Sequence, residues 1–125
     1  MFRDWTPVGV FDWEMAGLAP REVDLGWLLY AHHMFQYLAE MLGMPGTPDL
    51  FRPDEVATTY EQLTGYTPRH LEALVVYAAT QFGIVGLRTG ARSVYFGERE
   101  KPDDVDDLLF NRDHVEGLLA GRPLV

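Results

Sequence analysis

The sequence contains no cysteine, which excludes disulfides, thiolate metal sites and cysteine nucleophiles. Positive charge is scarce: Lys+Arg 10 against Asp+Glu 19 leave a net charge of −9. A field of that sign repels phosphate backbones, so nucleic acid is not an expected partner unless a metal intervenes. A basic n-region and an apolar h-region are both missing from MFRDWTPVG, so no signal peptide is read there and a cytoplasmic location is expected. The longest apolar stretch, LEALVVYAATQFGIVGLR, is interrupted by Glu72 and Gln81. It falls short of a span of about 20 apolar residues and reads as a buried core helix, with no membrane partner. Ser93 is the only serine and lacks any Ser-His-Asp context.

What is present is apolar and aromatic. Hydrophobic residues make up 47% and aromatics 13% of 125 residues, enough for a packed domain without covalent staples. The expected fold is mainly α, an N-terminal β-hairpin followed by a helical bundle, within a single unit. Residues 1–16 would hold the hairpin and residues 20–125 the helices. MFRDW and VGVFD read as the two strands, with turn chemistry at Asp4 and Thr6-Pro7. REVDLGWLLYAHHMFQYLAEML has helical spacing, with Leu25, Leu28, Leu29, Phe35, Leu38 and Leu42 near one face. Gly43 and Pro45 stop it, PDEVATTYEQLTG forms a shorter helix, and Thr67-Pro68 opens a third. DDVDDLLFNRDHVEGLLAG reads as one last helix ending before Gly121.

The chemistry sits at the start. Residues two apart on a strand point the same way, so Asp12 and Glu14 would project together at the exit of VGVFD. Paired carboxylates repel unless a proton, a cation or a metal intervenes, and hard oxygen donors favour Mg²⁺. Asp24, in the first turn of the next helix, is a dipole partner or, if buried, an acceptor of backbone N–H bonds that fixes a loop. His32 and His33 diverge by about 100° on a helix and cannot chelate one metal as an i, i+4 pair could.

The run VGVFDWEMAGLAPREVDLGWLL resembles the aminoglycoside phosphotransferase and choline kinase group of protein-kinase-like phosphotransferases. That pattern is an apolar strand, Asp-x-Glu, a Gly/Pro loop, then Asp-Leu-(Ala/Gly)-Trp opening a helix. The resemblance implies a metal-binding role for Asp12, an accompanying role for Glu14, and for Asp24 a structural brace of the catalytic loop. In relatives the following helix lies beneath the acceptor site, which implies substrate contact for His32 or Phe35. The implied parent reaction is Mg²⁺-ATP-dependent phosphoryl transfer to a small-molecule hydroxyl. The family's H-G-D-x-x-x-x-N catalytic loop has no match here, nor do its glycine-rich cover and lysine, and Asn111 is the only asparagine. The resemblance therefore implies a C-terminal-lobe portion, inactive by itself, in which ATP and Mg²⁺ binding belong to a complete enzyme. Self-association through exposed core is expected of such a portion. Two other readings remain open: a non-catalytic helical module that binds a partner, and a small Mg²⁺-dependent phosphate-ester hydrolase using Asp12 and Glu14.

Overall fold

The structure is a computed structural model that describes residues 1–13, 16–122 and Leu124. It is mainly helical, with an antiparallel hairpin ahead of four helices. Strands β1 (Phe2–Arg3) and β2 (Thr6–Pro7) pair Phe2 with Pro7 and Arg3 with Thr6. The helices are α1 (Glu22–Met41), α2 (Pro53–Thr64), α3 (Leu71–Tyr95) and α4 (Arg112–Leu119), with a 3₁₀ turn at Val105–Leu108 before α4.

The hairpin is shorter than expected and set differently. Its two-residue turn is Asp4-Trp5, at φ 48° and 64°. Positive φ at both central positions marks the type I′ turn, whose twist matches that of paired strands. Past these pairs the Val8 N–H donates to Met1 O at 3.0 Å and the Met1 amino group donates to Gly9 O at 2.9 Å, where the pairing ends. VGVFD is therefore not the second strand. Beyond Gly9 it finds no backbone–backbone partner among the described residues, and a strand needs one to satisfy its N–H and C=O groups.

The core lies between α1 and α3. Leu29, Tyr30 and Met34 from α1 meet Val75, Ala78 and Ala79 from α3, with Trp27, Phe82, Val115 and Leu118 packed around them. A fully buried side chain of this size contributes about 1.5–3 kcal/mol. The buried stripe of α1 is rotated from the expected one. Leu25 and Leu29 are inside, but Leu28, Phe35 and Leu42 are exposed, while Tyr30 and Met34 are fully buried. The two helices approach closely at Gly26, where a Cβ would sit 2.7 Å from the Leu74 carbonyl oxygen.

Helix α3 has the length and composition to cross a membrane. In this fold its Val75, Ala78, Ala79 and Gly83 face is buried in the bundle, while Ile84 and Val85 are exposed. Its three glycines, Gly83, Gly86 and Gly90, face the segment Leu108–Asn111, which lies against them. A Cβ at Gly83 would meet Asn111 Oδ1 at 3.0 Å, one at Gly90 would meet Leu108 at 3.3 Å, and one at Gly86 would run into the Phe110 ring.

That docking splits the last expected helix. Asn111 is fully buried. Its Nδ2 donates to Tyr30 Oη at 2.7 Å and to the Ala79 carbonyl at 3.0 Å. Continuing a helix through residues 109–111 would turn this amide away from both acceptors. The acidic lead-in DDVDD stays at the surface, with Arg112 reaching Asp104 at 3.3 Å and Glu116 at 2.9 Å.

Candidate functional site

Asp12 is exposed and has φ 69°, in the left-handed region. Aspartate tolerates that conformation better than most residues. The Trp13 indole N–H donates to Val10 O at 2.9 Å, closing a short turn around Asp12. The carboxylate thus stands on a turn and not at a strand end, so the period-2 argument for pairing it with Glu14 loses its premise. Glu14 itself lies outside the described residues. The apolar neighbours Val8, Val10, Phe11 and Trp13 are all exposed.

Asp24 is exposed in the first turn of α1. The acid that fixes a loop within this chain is instead Glu22, only 5% exposed. Its Oε1 accepts the Tyr66 hydroxyl at 2.6 Å and the Arg69 backbone N–H at 3.1 Å. Two positions along a helix differ by about 200°, so a Glu22 facing the α2–α3 linker leaves Asp24 facing out. The Tyr66 hydroxyl, then the backbone N–H groups of Glu22 and Arg69, hold the Glu22 carboxyl below its ordinary value. This tether also explains the late start of α3. Residues 66–69 run as a strap onto Glu22, and the helix begins at Leu71 behind a left-handed His70 (φ 55°) instead of at Thr67-Pro68.

The side of α1 that faces α4 and the 42–52 loop carries an open groove of about 550 Å³. Among its lining residues are His32, His33, Gln36, Tyr37, Glu40 and His114. Their hydrogen bonds assign protons. His32 Nε2 lies 3.0 Å from the Thr47 carbonyl, which can only accept, so this nitrogen bears the hydrogen. Gln36 Nε2, at 3.2 Å from the same ring nitrogen, is then a donor facing a donor, and it donates to Thr47 Oγ1 at 3.3 Å. His32 thereby pins the 42–52 loop onto α1.

His33 Nε2 lies 3.0 Å from His114 Nδ1, and the Tyr37 ring stands edge-on to His114 with centroids 4.5 Å apart. Phe35 is exposed on another face of α1 and does not line this groove, so only His32 of the two expected contacts reaches it. Sequence pattern had no signal for His114, because its partner lies 81 residues away. Among the described residues, no three His, Cys, Asp or Glu side chains converge as a metal-binding group. No protein-family model matches the chain.

Proposed function

We propose that this chain forms the helical, acceptor-side part of an aminoglycoside-phosphotransferase-like enzyme, whose reaction moves a phosphoryl group from Mg²⁺-ATP to a small-molecule hydroxyl. The observation that carries the reading is the run from Val8 to Leu29, with its Asp-x-Glu and Asp-Leu-Gly-Trp motifs in the family's order. Three features of the molecule support it. The Asp12 carboxylate is exposed on a turn ahead of the bundle, and Mg²⁺ is often held by one or two carboxylates together with substrate phosphates. Asp24 is exposed, open to a loop supplied from outside these residues. The apolar arm Val8–Trp13 is left uncovered by the bundle, as a surface made to lie under another lobe would be.

In that setting Asp12 is the residue that would hold Mg²⁺, which neutralises the phosphate charge when bound. Asn111 cannot replace the family's metal-binding asparagine, because its amide is buried on Tyr30 and Ala79. With no base and no nucleotide cradle of its own, the chain alone transfers no phosphate; a general base by itself is worth about 10²- to 10⁴-fold in rate.

The exposed arm also suits a second reading, a non-catalytic module that binds a partner through Phe2, Trp5, Phe11 and Trp13. One experiment separates the two. The coding DNA upstream of the Met1 codon is read, and the chain is then produced together with the upstream polypeptide. An in-frame H-G-D-x-x-x-x-N and ATP-dependent phosphorylation of a hydroxyl acceptor, abolished by Asp12→Asn, support the enzyme. Absence of that motif removes the reading.

A further inference from the structure

We propose that His33 and His114 form a proton-operated latch that fastens the start of α4 to α1 at neutral pH and loosens it in mild acid. The geometry is the warrant. The two ring nitrogens face one another at 3.0 Å, so one must carry a hydrogen and the other a lone pair. A first proton can settle on the pair without breaking the contact. A second leaves N–H facing N–H on two cations, and the contact becomes repulsive. Such a pair titrates in two coupled steps.

The surroundings set where those steps fall. Burial lowers the His33 pKa first, followed by the charges of His114 and His32. For His114 burial again acts first and Arg122 adds to it, while Asp113 opposes both. From α1, Tyr37 and Glu40 share the groove with the pair. The loop before α2 brings Asp49 and Arg52, and the first turn of α2 brings Asp54, to another side of His33. Helix α3 lines neither of the cavities that His33 and His114 share.

The position of the pair gives the latch its effect. His33 and His114 both line the 550 Å³ groove and also a second cavity of about 240 Å³, reached by Gly117 and Arg122. They form the wall between the two. Val115 and Leu118 keep α4 against the core, so opening loosens the first turn of α4 while the rest of the helix stays in place. Acid would then join the two cavities into one longer groove. This inference stands apart from the proposed enzymatic role and holds whether or not that role does.

The sign follows from the direction of the shifts. Both folded pKa values lie below the free value of 6.5, so the native contact is fully present above pH 6.5 and weakens as pH falls below it. The test is a titration of the intact chain, following the four histidine rings by NMR and amide protection across residues 112–116 by hydrogen exchange. Two coupled steps below pH 6.5 for His33 and His114 are expected. Protection in the first turn of α4 should fall by up to about tenfold per pH unit for each extra proton taken up on opening. His114→Gln, which keeps a neutral hydrogen-bonding group, should hold α4 at pH 7 and lose the acid response. Independent titrations near 6.5, or protection factors unchanged with pH in the native chain, would overturn the latch. If the variant does not fold, the native titration alone decides.

Discussion

The Asn111 side chain donates to the Tyr30 hydroxyl at 2.7 Å across 81 residues of sequence, joining the lead-in of the last helix to the middle of the first. Both residues are fully buried. The bond is therefore made away from water, where removing one partner costs more than the bond is worth. Asn111→Ala should lower stability by about 1–3 kcal/mol. Tyr30→Phe, which leaves the amide its bond to Ala79, should cost about 0.5–1.5 kcal/mol. Urea unfolding of both variants and of the double mutant should give a coupling energy above about 0.5 kcal/mol, and strict additivity would disprove the link.

The close crossings at glycine should respond differently to one methyl group. Gly26→Ala meets the Leu74 backbone carbonyl, which cannot step aside, so a loss of about 1–3 kcal/mol is expected despite the better helix propensity of alanine. Gly86→Ala meets the Phe110 ring, a side chain about half exposed and free to swing. There the propensity gain offsets the contact, and stability should stay within about 0.5 kcal/mol of the parent. Thermal melts of the two variants side by side distinguish a backbone obstacle from a movable one.

Acid should act through Glu22. Its folded pKa lies below 4.5, so the stability it contributes is present above pH 4.5 and is lost as pH falls through the lower folded value. Glu22→Gln should reduce the fall in Tm below pH 4.5, at the cost of a lower Tm at neutrality. The same variant should loosen residues 66–70 selectively, visible as faster exchange of the Arg69 amide, which donates to Glu22. An unchanged pH profile would contradict the tether.

At the hairpin, Trp5 is 96% exposed and holds φ 64°. A left-handed L-residue costs about 1–2 kcal/mol, and Asp-Gly is a preferred type I′ pair. Trp5→Gly should increase protection of the Val8 amide while leaving the Tm of the bundle unchanged. A drop in Tm would mean that the arm packs more tightly than its exposure indicates.

How much of this was legible in the sequence depends on the range of the force involved. The limits of α1 and α2 follow from nearby residues: Gly43 and Pro45 stop the first, and Gly65, at φ 69°, caps the second. The hairpin was legible as a hairpin, since Asp4 marks its turn. Its second strand lies earlier than composition suggests, because VGVF has strand composition but no backbone partner past Gly9. The start of α3 departs from the local Thr67-Pro68 signal because Glu22, from a distant helix, overrides it. The break before α4 was invisible for the same reason, since only Tyr30 and Ala79 require the Asn111 amide to turn inward. At the site, Asp12 stands exposed on a turn where the sequence pattern expects a strand end, and the groove partner His114 could be found only in three dimensions.

The glycine face of α3 has a consequence for the order of assembly. Gly83, Gly86 and Gly90 each make the helix less favourable by about 1 kcal/mol relative to alanine. The latter half of α3 therefore has little reason to form before Leu108, Phe110 and Asn111 arrive to fill the face. Those residues in turn need Tyr30 already in place to receive Asn111. The first helix and the front of the third should nucleate folding, and the closing of residues 108–111 should be a late step. Substitutions at Leu108 and Asn111 would then speed unfolding while leaving the folding rate almost untouched.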